Sequence, residues 1–165
     1  IRWPMLRRIT RLFQGTYRLL DPGPHHLGNG YRESFRRVEP DGTQLRFNVR
    51  FQSESLRRPV FLSADVAELI PSGPGTLQAT PFVDEVRAGG LATRVFVNDE
   101  LIGTLNSLIT TRSPSTNPER VRLRIPPGQL RPGSNSIEIR QTAARDNPDS
   151  FDDFETGAIA IEIER

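Results

Sequence analysis

The chain has 165 residues, no cysteine and a formal net charge of +2. This length suits one domain with a buried core, and the lack of cysteine excludes disulfides and thiolate metal sites. No apolar run approaches the roughly 18 residues that a transmembrane helix needs.

The positive charge is concentrated at the start of the chain. All 22 basic residues are arginines, and residues 1–20 contain five of them and no acidic residue. The other 145 residues contain 17 arginines and 20 acidic residues, which leaves a charge of −3. A basic segment before a mildly acidic body predicts an electrostatic contact made by that segment.

We interpret residues 1–30 as a basic amphipathic arm followed by a Pro/Gly-rich linker. Apolar residues spaced by three or four after Pro4 predict a short helix as far as Leu20. An aromatic ring beside arginines suits a membrane interface, so a partner protein or a membrane surface is one hypothesis for residues 1–20. The alternative is that the stretch packs on the domain or pairs as a strand. The residues predicted to bind the partner or membrane are Trp3, Arg7, Arg8, Arg11 and Phe13.

The body, residues 31–165, alternates apolar and polar positions with a period of two. In QLRFNVRFQ, residues 44–52, apolar side chains alternate with Arg46, Asn48 and Arg50. Such alternation is typical of antiparallel sheets with one face on a core and the other in water. About eight strands of this kind predict an all-β fold, an antiparallel sandwich of the jelly-roll type. The other alternating stretches are residues 58–66, 120–125, 136–141 and 157–164.

Two turn motifs add a family resemblance. The stretch VFVNDELIG, residues 95–103, predicts a tight hairpin at Asn98-Asp99, because both residue types tolerate a left-handed backbone. The stretch LRIPPGQLRPGSNSIEIR, residues 123–140, leads through a Pro-Gly turn into a strand. Together they resemble the galactose-binding-like jelly roll of the sugar-binding domain of family 2 glycoside hydrolases and of many carbohydrate-binding modules. The resemblance implies that Pro132, Gly133 and Asn135 set the start of a core strand.

An acidic loop precedes the last strand. In RDNPDSFDDFE, several carboxylates lie within ten residues, and hard oxygen ligands in a loop are what Ca²⁺ binds. The spacing is not that of an EF-hand, and a solvated loop is the alternative. The residues of the predicted structural calcium site are Asp146, Asp149, Asp152 and Asp153.

Arginines also project from the polar side of the predicted strands. If those strands are neighbours, the side chains form a basic sheet face that can bind an anionic sugar, a phosphate or an acidic protein surface. Interleaved glutamates favour the simpler interpretation of cross-strand ion pairs. Nucleic acid is disfavoured, because no aromatic residues interleave with the basic ones. The residues of the predicted anion-binding face are Arg46, Arg50, Arg122 and Arg124.

No catalytic motif accompanies these features. The two histidines, His25 and His26, are adjacent in the predicted linker and are not expected to share a metal. The chain has no nucleophile-elbow, P-loop or dinucleotide-binding motif, so we predict that it is not an enzyme. The leading hypothesis is a structural subunit docked by its arm to a larger, membrane-bound assembly, with a membrane-associated or extracytoplasmic location favoured. The alternative is a carbohydrate-binding module.

Overall fold

The computed structural model describes residues 15–73, 82–111 and 115–165. These ranges contain a short helix, α1 (Val83–Arg87), and two single-turn 3-10 helices, Ser55–Arg57 and Asn106–Leu108. No helix in them is long and apolar enough to cross a lipid bilayer. The strands in the described ranges are β1 (Gly15–Asp21), β2 (His25–Leu27), β3 (Gln44–Phe51), β4 (Val60–Ala67), β5 (Thr93–Val97), β6 (Glu100–Thr104), β7 (Glu119–Ile125), β8 (Gly133–Gln141) and β9 (Phe154–Glu164).

The strands form two antiparallel sheets. One has the order β1-β9-β4-β7, with β2 also paired to β9, and the other has the order β3-β8-β5-β6. Alternate residues of both sheets meet in one apolar core, which includes Leu62 and Ile161 from the first sheet and Val95 and Ile137 from the second. The predicted all-β sandwich is therefore confirmed, with its core on the apolar side of each alternating strand.

The start of the described chain differs from the predicted arm and linker. Gly15–Asp21 pairs with β9 from Glu164 to Ile159, and His25–Leu27 pairs with β9 from Thr156 to Phe154. The helix predicted from the apolar spacing is therefore wrong for residues 15–20. They form a strand because the backbone groups along the free edge of β9 need hydrogen-bond partners. Residues 15–27 thus belong to the sandwich, as in the alternative of strand pairing.

The last strand also departs from the simple alternation. Ile159 and Ile161 face the core as predicted, but Glu162, expected on a solvated face, is 1% exposed. The strand lies in the middle of its sheet, and the Glu162 carboxylate is covered by Arg122, whose Nε lies 2.6 Å away, and by Arg120 at 3.6 Å. Long side chains that reach across β4 from β7 thus replace water on this face.

Candidate functional site

Two asparagines join the β5–β6 hairpin to the turn before β8. Asn98 and Asp99 both have positive φ, 50° and 67°, which confirms the predicted tight turn. The Asn98 amide donates to Asn135 Oδ1 and to the Gln129 carbonyl, each at 2.9 Å, and Asn98 Oδ1 accepts from the Ser136 amide at 3.0 Å. The hairpin is thereby held against the first residues of β8.

Asn135 satisfies the backbone of the Pro-Gly turn. Its Nδ2 donates to the carbonyls of Arg131 (2.8 Å) and Gly133 (3.0 Å), and its Oδ1 accepts from the Arg131 amide at 2.9 Å. The residue is 1% exposed, so no water can substitute for these bonds. The turn motif is therefore scaffold, as the resemblance implied.

Replacing Asn135 with alanine should lower the free energy of unfolding by about 3 kcal/mol, because each unsatisfied buried group costs about 1–3 kcal/mol. Urea denaturation measures this loss. Asn48→Ala, at an exposed position of β3, serves as the control and should change stability by less than about 0.5 kcal/mol. Equal stability of the two variants would show that the network does not hold the turn.

A polar depression lies on the outer face of the four-stranded sheet, beside this network. We call it the sheet-face cleft; its volume is about 260 Å³. It is bounded by β3 on one side and by the hairpin and the start of β8 on the other. Its lining residues are Arg46, Asn48, Asn98, Asp99, Arg131, Ser134, Asn135 and Ser136.

The lining divides into a rigid frame and a set of accessible polar groups. Asn98 and Asn135 form the frame through the bonds described above. Arg46 retains 56% of its side-chain exposure while its guanidinium lies 3.7 Å from Glu138 and 3.9 Å from Asp99, which is 83% exposed. Asn48 projects from the same strand face as Arg46 and is exposed. The cleft therefore presents a guanidinium, an amide and a carboxylate on a fixed backbone.

Aromatic stacking plays no part in the sheet-face cleft. Phe96 lies on the same sheet face, opposite Glu138 and Leu101, but the Arg140 guanidinium covers its ring at 4.1 Å from the centroid. No aromatic side chain is among the described residues that line the cleft. A ligand here would be recognised by hydrogen bonds and charge.

The four arginines of the predicted anion-binding face are divided between the two sheets. Arg46 and Arg50 lie on β3, whereas Arg122 and Arg124 lie on β7 of the other sheet. The four side chains therefore cannot form one face. The alternation predicts on which side of its strand a residue lies, but it does not predict which strands are neighbours. The cross-strand ion pairs favoured by the sequence are confirmed at Arg46–Glu138 and Arg122–Glu162.

The acidic loop before β9 has two kinds of carboxylate. Asp146 and Asp149 are exposed, whereas Asp152 Oδ2 accepts from the Ile70 amide at 3.0 Å and Asp153 Oδ1 lies 2.9 Å from His26 Nε2. Within the described ranges, no group of three or more His, Asp or Glu side chains is arranged to bind a metal ion. The calcium site is untested by this geometry and stays a prediction.

Burial raises the pKa of two carboxyl groups. The pKa of Asp152 is raised to about 8, chiefly by desolvation, with nearby Asp153 and Glu68 adding to the effect. The pKa of Asp65 is raised to about 6, because desolvation outweighs the attraction of Arg120, 3.3 Å away. Neither group lines the sheet-face cleft, and desolvation is the largest cause of both pKa shifts.

Some predicted residues lie outside the described ranges, and some cleft residues were missed. Trp3, Arg7, Arg8, Arg11 and Phe13 precede Gly15 and so lie outside the described part of the chain. Sequence reasoning did not identify Asn48, Arg131, Ser134 or Ser136 as site residues. The available signal was their position on the polar side of β3 and β8, or in the turn before β8.

The strand arrangement, the hairpin and the Pro-Gly turn agree with the resemblance drawn from the sequence. The fold is an antiparallel β-sandwich of the jelly-roll type. No family model matches the chain, and no curated protein matches it in sequence.

Two solved structures are similar to the chain in fold. One is a family 35 carbohydrate-binding module from an environmental isolate, with 14% identity, a TM-score of 0.43, and coverage of 91% of this chain and 93% of that one. The other is the CBM36-1 domain of a multidomain xylanase from the hindgut metagenome of Trinervitermes trinervoides. It has 11% identity, a TM-score of 0.41, and coverage of 92% and 98% of the two chains.

This finding corrects the leading hypothesis. Both similar structures are carbohydrate-binding modules, which contradicts the prediction of an accessory subunit docked by its basic arm. The prediction relied on the charge asymmetry of the chain. Net charge affects association with other molecules, but it does not identify the fold or the ligand. The alternative, a carbohydrate-binding module, is the one retained.

Proposed function

We propose that the protein is a non-catalytic carbohydrate-binding module that uses the sheet-face cleft. The observation that carries the proposal is the set of accessible polar side chains held on a rigid frame. Sugar hydroxyls both donate and accept hydrogen bonds, so a sugar site needs donors and acceptors side by side. Arg46 supplies donors only, Asp99 acceptors only, and the Asn48 amide supplies both.

The frame supports this role because the bonds of Asn98 and Asn135 fix the walls before any ligand arrives. A rigid site does not lose the conformational entropy of its own ordering when it binds. The cleft volume of about 260 Å³ is slightly below the usual range of about 300–1,000 Å³ for ligand pockets. It therefore suits a short stretch of a sugar chain.

The double variant Arg46→Gln/Asn48→Ala should bind glycans at least about tenfold more weakly than the parent protein, since each lost hydrogen bond contributes about 1 kcal/mol or more. Affinity electrophoresis in gels containing soluble polysaccharides, followed by isothermal titration calorimetry on the best ligand, measures the change. Circular dichroism confirms that the variant is folded.

A matched control lies on the same strand. Gln44 is exposed and two residues from Arg46 on the same side of β3, but it does not line the cleft. Gln44→Ala should bind as tightly as the parent protein. If no polysaccharide retards the parent protein, or if both variants lose affinity equally, the cleft is not a sugar site.

A further inference from the structure

A second depression lies at the end of the sandwich where β3 and β7 finish. We call it the proline groove; its volume is about 300 Å³. The 3-10 turn Ser55–Arg57 and the start of β4 form one wall, and the end of β7 with the following turn forms the other. Its lining residues are Leu56, Arg57, Arg58, Pro59, Val60, Arg124, Ile125, Pro126, Pro127, Gly128 and Leu130.

The charge in the proline groove has one sign. Arg57, Arg58 and Arg124 are all exposed, and no acidic residue is among the lining residues. In residues 15–73, 82–111 and 115–165, none of these three guanidinium groups forms an ion pair, a side-chain hydrogen bond or a contact with an aromatic ring. By contrast, Arg46 and Arg140 are paired with carboxylates.

Arginines that are left unpaired in one groove are suited to anionic groups. The guanidinium plane matches a carboxylate or a sulfate with two parallel hydrogen bonds. The prolines and Leu130 add apolar surface to the lining, against which the carbon face of a sugar ring can pack. Since no aromatic residue lines the groove, base stacking by a nucleic acid has no platform there.

The groove and the sheet-face cleft lie on either side of one turn. Leu130 lines the proline groove and Arg131 lines the cleft, and adjacent residues have Cα atoms only about 3.8 Å apart. Arg131, which is exposed, therefore adds a positive charge at this edge of the cleft, where Asp99 is the one acidic lining residue. An extended chain that lies across this turn meets both depressions.

We infer that the two depressions bind one acidic polysaccharide, with its carboxylate or sulfate groups paired to Arg57, Arg58 and Arg124. This inference rests on the proposed function and specifies its ligand. The cleft holds a sugar unit by hydrogen bonds, and the groove selects chains that carry negative charge. Neutral chains bind through the cleft alone and more weakly.

The test compares chains that differ only in charge. The probes are polygalacturonate with its methyl-esterified form, and a carrageenan, a sulfated galactan without carboxylates, with its desulfated form. In calorimetry at low salt, the parent protein should bind at least one acidic form about tenfold more tightly than its partner. That preference should shrink as salt rises, because screening weakens exposed charge pairs. The pair of probes that shows the preference identifies whether the ligand carries carboxylate or sulfate groups.

Arginine variants test whether the side chains of the proline groove bind the negative charge of the ligand. Arg57→Gln/Arg58→Gln and, separately, Arg124→Gln should lower affinity for the acidic form toward that of the neutral form, while leaving neutral binding unchanged. Arg36→Gln is the control, since Arg36 is exposed on the β2–β3 loop and lines neither depression. Thermal unfolding should confirm that all variants are folded.

Three results would overturn the inference. Equal binding of charged and neutral forms would leave the proposed function standing and remove the acidic ligand. Equal loss in Arg36→Gln, or equal affinity for a single-stranded oligonucleotide, would reduce the effect to general attraction of polyanions. Failure to bind any of the four polysaccharides, charged or neutral, would refute the acidic ligand directly and count against the proposed function as well.

Discussion

Asp152→Asn should lose much less stability than the parent protein when the pH rises from about 5 to about 9. The pKa of an aspartate in an unfolded chain is about 3.9, whereas burial raises that of Asp152 to about 8 in the native state. Between these values, the native protein holds a proton that the unfolded chain has released. Unfolding then releases a proton, so stability falls as the pH rises.

The size of the effect follows from the shift. The stabilisation from the protonated carboxyl is fully present below about pH 4 and is lost as the pH passes about 8. A full shift of this size corresponds to about 6 kcal/mol at 1.36 kcal/mol per unit. Because Asp152 keeps some contact with solvent, we expect a loss of a few kcal/mol.

The asparagine variant removes the titration and keeps the shape. Its amide oxygen can still accept from the Ile70 amide, which lies 3.0 Å from Asp152 Oδ2. Urea denaturation at several pH values gives the two stability profiles. Asp149→Asn, an exposed change in the same loop, should follow the parent profile. If Asp152→Asn also follows it, the carboxyl is ionised in the native protein and our account of its burial is wrong.

Asp153→Ala should lower the free energy of unfolding by about 3–5 kcal/mol, as expected when one partner of a buried pair is removed. Asp153 Oδ1 accepts from the Gly30 amide at 2.9 Å and lies at the same distance from His26 Nε2. The His26 ring is fully buried, and its Nδ1 lies 2.9 Å from the Arg37 carbonyl. Each ring nitrogen therefore has one polar partner inside the protein.

The contact also fixes the backbone around it. Gly28 has a φ of +138°, and a Cβ placed on it would lie 2.0 Å from Asp153 Oδ1, so the loop after β2 approaches the carboxylate more closely than any other residue would allow. Loss of the carboxylate leaves a buried ring nitrogen and a backbone amide without their hydrogen-bond partner. Both contribute to the expected destabilisation.

Denaturant unfolding of three variants tests this pair. Asp153→Ala should show the full loss, while Asp153→Asn, which keeps an acceptor oxygen, should lose less. Asp149→Ala should stay within about 0.5 kcal/mol of the parent protein, as is usual for an exposed change. A loss below about 1 kcal/mol in Asp153→Ala would mean that the buried contact between the histidine and the carboxyl group does not hold this loop.

The sequence alone determined most strands of the body and, for β3, β4, β7 and β8, which side faces the core. Alternation is a local property, because successive side chains of a strand point to opposite faces whatever the strand pairs with. The stretch QLRFNVRFQ therefore predicted β3 within one residue at its end. The Asn98-Asp99 turn was predictable for the same reason, since the turn chemistry acts between neighbours in the chain.

Only the tertiary structure decided which strands are neighbours, and the candidate site depends on that. Arg46 and Arg122 occur in similar alternating stretches, yet they lie on different sheets, because pairing joins segments distant in sequence. His26 and Asp153 are 127 residues apart and meet only through β2 and β9. Gly15–Asp21 is a further example. Its apolar residues have helical spacing, but the segment forms a strand because its backbone makes hydrogen bonds with β9.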